Sequence, residues 1–515
     1  MSVAFIDTIG YRVGGSHAAR GRSPRRTRFT TMWDRARSST STLRRTTAAA
    51  AWLLVACARP VTGGAGGPAA GTPLPLPPPP ARADDGAITA RDGAALARLD
   101  VAFGTSGALP QAADATLAAR AARFRAFVRA RQDQDAFYDT LLPRYFKMLG
   151  PRSDFLLSKG MVLASATEGG RTYYYHPTDG PCPRQRQVAV HPWWDLETTV
   201  WICDASYRPD ILVEKVGDDL SYCEYPGSEP IACRCGENLI NCTRDHVQHG
   251  QISAALAEEP IRTIQFVMQR HEPLSRALTM NATVRSDLAD FFYARDRAVR
   301  TGTLSYPPAD PTRHATLRPR DAPYGGGVLT TTIYLYYNDA RRVQAGTIWD
   351  DFLCTPLAST AVHAEAMFAG ALRAQRVRHH ATPQLGRMTG CQNCHARLES
   401  VVAAYSGFTS SMYGMRYIAD AQLHDTIGFY VRDHTDLRGE APASIQWIGE
   451  MIGRQPEFTS CLVERSEQLV FGGYPVPPDV HARSSQQFAA TQDLAQLIED
   501  LVVARYVGAA AQELR

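Results

Sequence analysis

Between Thr116 and Leu142 apolar side chains fall at helical spacing, with Leu117, Phe124, Phe127, Val128, Phe137 and Leu141 on one stripe, and Pro143 predicts where that helix stops. The period changes at Gly170. From there to Tyr207 the clusters Tyr173-Tyr174-Tyr175, Trp193-Trp194 and Val200-Trp201-Ile202-Cys203 stand between Pro and Gly, which predicts a short β-rich insertion. Its aromatics suit either the wall of a ligand groove or a small disulfide-stapled core, and the second is the simpler account. His176 and His191 each precede Pro, a turn context that argues against either as a ligand. Helical periodicity returns from Ile252 to Met280 and from Val284 to Arg300. A Pro- and Arg-rich stretch from Ser305 to Gly327 then predicts turns, with Gly325-Gly326-Gly327 a flexible one. The pattern is that of a mainly α, multi-domain helical protein with a small disulfide-rich β insertion.

The N-terminal residues follow neither period. From Met32 the chain reads as a basic region (Arg35, Arg37, Arg44, Arg45), an apolar run from Ala48 to Ala56, and then Leu54-Val55-Ala56-Cys57, which resembles a bacterial lipobox with Cys57 as the lipidated residue. The apolar run is about 10 residues against the ~20 that a membrane-spanning helix needs, so the expected anchor is lipid. Residues 1 to 31 have no place in such a leader, and Met32 is the expected start; the rival account is a buried N-terminal helix. After Cys57 come a Gly/Ala-rich stretch, Gly63 to Gly71, and the polyproline run Pro73 to Pro80, an extended tether. Folded structure is expected from near Gly93. The expected organisation is a leader over 1–56, a tether over 57–92, a helical segment over 93–165, the Cys/aromatic-rich insertion over 166–250, a helical domain over 251–380 and a haem c-binding helical domain over 381–515.

Charge follows from the leader. The whole chain carries +4, but residues 1 to 56 hold ten Arg and two Asp, so the exported body is expected to be acidic. This removes the case for a nucleic-acid partner or a polybasic membrane surface. The near absence of Lys (Lys147, Lys159, Lys215) beside abundant Arg and Ala reflects genome composition rather than binding.

The chemistry lies in Cys391-Gln392-Asn393-Cys394-His395. Two thiols at this spacing followed by an imidazole attach c-type haem: the sulfurs form thioethers and His395 becomes the proximal iron ligand. With 11 Cys and 14 His in 515 residues, roughly 0.006 such matches are expected by chance. The competing accounts are a thiol redox pair or disulfide beside an unrelated His, and half of a zinc site, for which Cys233-Arg234-Cys235 is too closely spaced a second half.

With Cys57 lipidated and Cys391 and Cys394 on haem, eight cysteines remain for an oxidising compartment: Cys182, Cys203, Cys223, Cys233, Cys235, Cys242, Cys354 and Cys461. The expected pairs are Cys182 with Cys203, two bridges within Cys223 to Cys242, and Cys354 with Cys461. A metal or cluster site at Cys223, Cys233, Cys235 and Cys242, with His246 or His249, is the alternative.

The order of motifs in the second half resembles a family. Pro260-Ile261-Arg262, Pro273 to Thr279, Asn281-Ala282-Thr283, Leu288 to Tyr293, Gly327 to Thr331, Arg342 to Pro356, and Phe458-Thr459-Ser460-Cys461 to Gly472 with a helix from Leu494 to Leu501 are similar to segments of large exported cytochrome-associated proteins of planctomycetes and myxobacteria. The resemblance covers roughly residues 250 to 510 and implies a cytochrome without naming a substrate. Past the haem His, Arg397-Leu398-Glu399-Ser400 stands where that family often has an Asp-Pro-Leu-Gly-like run.

His395 begins an expected helix whose face, Leu398, Val401, Val402 and Tyr405, suits a haem edge. Met412 and Met415, on a turn-rich segment just after it, are the candidate distal ligands, with core packing as the alternative; His424, His434, His363 and Met367 are weaker, and His379-His380 reads as a solvated loop. No second haem motif, Gly-rich nucleotide loop or nucleophile elbow occurs. The expectation is a lipid-anchored envelope cytochrome, on the outer membrane or periplasmic face, with one haem c, passing single electrons to an unidentified redox partner. Two rivals stay open: a haem enzyme with an open sixth site, and a non-haem structural lipoprotein with a Cys391–Cys394 disulfide.

Overall fold

The computed structural model describes residues 88–107, 116–149, 162–177, 179–207, 214–216, 219–221, 235–240, 242–293, 315–320, 325–336, 341–355, 401, 404–405, 408–411, 414–417, 428–431, 434–437 and 444–508. Helix accounts for 64% of them, which makes the body mainly α, with one small sheet and several two-stranded ribbons.

The first helix, α1 (Ile88–Phe103), begins ahead of Gly93 and presents Ala95, Leu96, Leu99 and Phe103 to the core. The expected single helix over Thr116 to Leu142 is two. In α2 (Leu117–Gln132) the Thr116 hydroxyl caps the N-terminus by accepting from Ala119 N at 3.1 Å. Gln134 is extended, and α3 (Asp135–Tyr145) starts afresh and carries Pro143 in its last turn, running past the expected stop. Phe124, Phe127, Val128, Phe137 and Leu141 are buried as the stripe requires; Leu117 opens α2 and is 45% exposed.

Helix α2 is unusual in burying charge. Arg120 pairs with Asp92 at 2.7 Å and Arg131 with Asp100 at 2.5 Å, both acids on α1. On its other side lies the last helix, α11 (Leu494–Tyr506), where Glu499 receives Arg129 at 2.9 Å and Asp500 receives Arg125 at 3.4 Å. Phe124 stacks on Tyr506 with ring centres 5.8 Å apart, and Arg120 also donates to the Tyr506 carbonyl. A helix so rich in Arg can be buried because acids on both neighbours meet its guanidinium groups.

The β insertion is present. Strands β1 (Ala164–Glu168), β2 (Arg171–Tyr175), β3 (Gln187–Val190) and β4 (Val200–Cys203) lie in the order β1-β2-β4-β3, with β2 and β4 parallel at Tyr174 and Ile202. Bridges Cys182–Cys203 and Cys235–Cys242 staple it, around a small core that includes Leu163, Val190, Ile202 and Leu239. Trp193 joins this unit to the main body: its ring stacks on Phe291 at 4.4 Å and its Nε1 donates to the Cys242 carbonyl at 2.9 Å. The short ribbon β5 (Glu214–Val216) and β6 (Asp219–Ser221) follows.

The long helix α4 (His246–Gln269) is capped by Asp245, which accepts from Gln248 N at 2.8 Å. After the one-turn α5 (Arg276–Thr279), Val284 lies in strand β7 (Ala282–Arg285), paired with β8 (Thr316–Pro319), and the expected helix begins only at 287. The β-branched Thr283 and Val284 side by side favour the pleated strand, and Val284 N donates to Thr263 Oγ1 at 3.0 Å.

What fastens this hairpin to α4 is one buried carboxylate. Glu259 accepts from Thr283 at 2.6 Å, Tyr293 at 2.5 Å and Arg320 at 2.8 Å. Arg320 donates on to the Thr330 carbonyl at 2.9 Å, while the Tyr293 oxygen accepts from Thr332 N at 3.0 Å. The guanidinium of Arg320 also sits 4.2 Å over the Tyr293 ring. Gly327, expected to be a flexible turn, is tightly packed: at φ +52° it lies where a Cβ would come within 1.9 Å of the Ala277 carbonyl oxygen.

Helices α6 (Thr332–Tyr336), α7 (Arg341–Leu353), α8 (Ser444–Arg454), α9 (Pro456–Phe471) and α10 (Pro478–Thr491) complete the helical body before α11. A single buried cluster runs from Ala95 on α1 to Tyr506 on α11, through Leu256, Trp349 and Leu462. Ribbons β9–β10 (Phe408–Ser411, Gly414–Tyr417) and β11–β12 (Gly428–Val431, His434–Leu437) lie between α7 and α8 in sequence.

Replacing Glu259 by Ala removes the carboxylate that Arg320, itself 8% exposed, meets at 2.8 Å. We expect a loss of about 3–5 kcal/mol in guanidinium denaturation, with Glu259→Gln costing less; a loss below about 1 kcal/mol would mean the carboxylate does not organise the hairpin.

Candidate functional site

The haem motif itself, Cys391 to His395, lies outside the described residues, as do Cys57, Met412, His363, Met367, His379, His380 and His424. Its two flanks are described, and both are fastened to the core. On the N-terminal side α7 ends at Leu353, and Cys354 is bonded to Cys461 of α9, as the sequence led us to expect. On the C-terminal side Val401, Ala404 and Tyr405 are buried, and the Tyr405 hydroxyl donates to the Leu329 carbonyl at 3.3 Å. The expected apolar face is thus seen at Val401 and Tyr405. Burial pushes the Tyr405 phenol well above its ordinary range, so it stays protonated.

Met415 falls in β10, opposite Ser410 of β9, where a turn-rich segment was expected. His434 opens β12. The alternative metal site at Cys223, Cys233, Cys235 and Cys242 is overturned at two of its positions, since Cys235 and Cys242 form a disulfide and oxidised sulfur is not a thiolate ligand. Cys223 and Cys233 lie outside the described residues. Among the described residues no group of three or more His, Cys, Asp or Glu side chains could hold a metal ion, and no helix is long and apolar enough to cross a membrane.

One turn before Cys354 stands a group that sequence reasoning missed. Asp351 is fully buried; one oxygen accepts from Lys147 N at 2.8 Å, the other from Met148 N and the Tyr334 hydroxyl, each at 3.2 Å. Arg465 of α9 caps the end of α7 by donating to the Asp350 and Asp351 carbonyls, both at 2.6 Å, and to that of Tyr145. Desolvation dominates and pushes the Asp351 carboxyl up to about 6, against the pull of the backbone donors and Arg465. Burial likewise raises Tyr334 and lowers Arg465. The arrangement holds or releases a proton near neutrality at the root of the segment that leads to the haem motif. The only sequence signal was two consecutive acids, Asp350-Asp351, just inside an apolar helix end.

A second feature is an open cleft of about 690 Å³ along α4, between Asp135 of α3 on one side and Ser286, Leu288 and Leu317 around the β7–β8 hairpin on the other. Glu258 and Gln251 open into it. No protein family model, curated protein or solved structure matches this chain.

The Asp351 carboxyl keeps its proton in the folded chain up to about pH 6, whereas an ordinary Asp releases it near 3.8. Its contribution is therefore fully present below pH 3.8 and lost as pH rises through 6. Relative to Asp351→Asn, the wild type is expected to lose about 2 kcal/mol of stability between pH 4 and 7, read as the difference between two denaturation curves at each pH; a difference independent of pH would refute the assignment.

Proposed function

We propose that the protein is an exported c-type cytochrome, lipid-anchored through Cys57, that carries one covalent haem and passes single electrons in the bacterial cell envelope. The observation that carries the reading is the pentapeptide Cys391-Gln392-Asn393-Cys394-His395. The donor set suits the group: two thiols for thioether bonds and an imidazole for iron. Three described disulfides agree with an oxidising compartment, and their six sulfurs pair among themselves, so none of them is taken by Cys391 or Cys394.

When bound, the haem supplies exchange of one electron between ferric and ferrous iron. The chain's part is to hold it. Cys391 and Cys394 would attach it, His395 would supply a nitrogen to the iron, and Met412 and Met415 are the candidates for a second ligand. The described residues on either side of the motif, Cys354 and Tyr405, are both fastened to the body. The order of motifs from 250 to 510, similar to that of planctomycete and myxobacterial cytochrome-associated proteins, favours the same reading.

A pyridine haemochrome spectrum of protein made in a host with cytochrome c maturation tests it. We expect a c-type α-band that survives acid-acetone extraction and is lost in the Cys391→Ala, Cys394→Ala double variant. A colourless wild type would leave a structural lipoprotein with a Cys391–Cys394 disulfide, and a high-spin ferric spectrum would favour an enzyme with an open sixth site. If Met415 or Met412 is the distal ligand, replacing it by Ala lowers the reduction potential, because the thioether favours ferrous iron; a potential unchanged in both variants excludes the pair.

A further inference from the structure

We infer that the cleft along α4 binds a neutral oligosaccharide, independently of whether haem is attached. Helix α4 has two long faces. One, including Ile252, Leu256, Glu259, Thr263 and Met268, is buried in the core. The other, from Gln251 through Ala255, Glu258 and Arg262 to Phe266 and Gln269, lines the cleft. At 1.5 Å per residue this second face is about 27 Å long, and the cleft's volume of about 690 Å³ lies in the range of small-ligand sites.

The polar groups are held in fixed orientations. Arg262 donates to Asp139 at 2.8 and 3.0 Å and to Gln265 Oε1 at 2.8 Å; Gln265 Nε2 donates to Asp135 at 2.7 Å; Gln269 donates to the Gln132 carbonyl at 3.2 Å. Glu258 and Gln251 are exposed and line the open space. Between these polar groups lie apolar surfaces: Ala255, the half-buried Phe266, one face of whose ring carries the Arg270 guanidinium at 4.3 Å, and Leu317, which at 44% exposure is one of the few large apolar side chains left open among the described residues. A lining that alternates amides, carboxyls and small apolar faces matches a pyranose chain, whose hydroxyls need paired donors and acceptors and whose C–H faces need apolar cover.

Other ligand classes fit less well. Asp135, Asp139 and Glu258 surround the single guanidinium of Arg262, which is already paired, so an anion such as phosphate meets net negative charge. A lipid tail requires continuous apolar lining, which the three glutamines interrupt. A cationic amine is the closest competitor. Burial first, and then Asp139 and Asp135, push the Glu258 carboxyl up against the opposing pull of Arg262, and titration with putrescine separates the two ligands.

The test is isothermal titration calorimetry on the mature full-length protein with cellotetraose, maltotetraose and chitotetraose, beside putrescine and inorganic phosphate. At least one tetrasaccharide is expected to bind one to one. Glu258→Ala and Gln251→Ala should each weaken it about fivefold to tenfold, whereas Glu258→Gln, which keeps the side chain's length and an acceptor oxygen for a sugar hydroxyl, should stay within threefold. Because these side chains are open, unchanged far-ultraviolet circular dichroism of the variants is the check on folding. Binding of putrescine alone, no binding by any of the three sugars at millimolar concentration, or sugar binding unaffected by both Ala variants overturns the proposal.

Discussion

A carboxylate buried in an apolar body must be neutralised and fully hydrogen-bonded, and Glu259 meets that constraint with partners from three separate stretches of chain. Thr283 comes from the hairpin, Tyr293 from the helical turn after it, and Arg320 from the far end of β8. None of these stretches can shift without uncovering the charge. The register of α4 is held by the same requirement, because Glu258, one residue earlier, faces the open cleft while Glu259 faces the core. Rotation of α4 by one position would exchange a satisfied core charge for an unsatisfied one. The cleft therefore keeps its shape for reasons that lie on the opposite side of the helix.

The same logic closes the two ends of the body on each other. Arg120 and Arg131 reach α1, while Arg125 and Arg129 reach α11, so α2 stands as a charged strut between the first helix and the last. A misplaced helix would cost these guanidinium groups their acids, which makes the packing specific even where the net gain of each pair is small.

Much of this was legible along the chain where burial is apolar and local. Phe124 and Leu141 declared their helices by spacing, the Tyr and Trp clusters declared the sheet, and the pairings Cys182–Cys203 and Cys354–Cys461 are as the sequence suggested. What escaped was long-range or polar. The arginines of α2 look like a solvated face until the acids of the preceding helix, 28 to 31 residues away, and those of α11, 370 or more residues away, are placed beside them. Val284 was taken into a helix because its strand partner, Thr316 to Pro319, lay in a stretch dominated by turn signals. Gly327 looked like a hinge, since the Ala277 carbonyl that presses on it is invisible in sequence. Asp351 carries no spacing signal at all; its chemistry comes from the backbone amides of Lys147 and Met148. The haem motif is a property of the sequence, and the geometry contributes its two fastened flanks.

The bridge from α7 to α9 spans 107 residues, and the two thiols of the haem motif lie inside that ring. Along the chain Cys391 and Cys394 are about three times nearer to Cys354 than Cys461 is. Ring closure alone therefore favours the wrong partner by roughly 1 kcal/mol. The correct crosslink must be selected by prior docking of the two helices, through contacts such as Arg465 on the carbonyls of Asp350 and Asp351. Oxidative maturation of this chain is in that sense a sorting problem, in which noncovalent assembly has to run ahead of the oxidant.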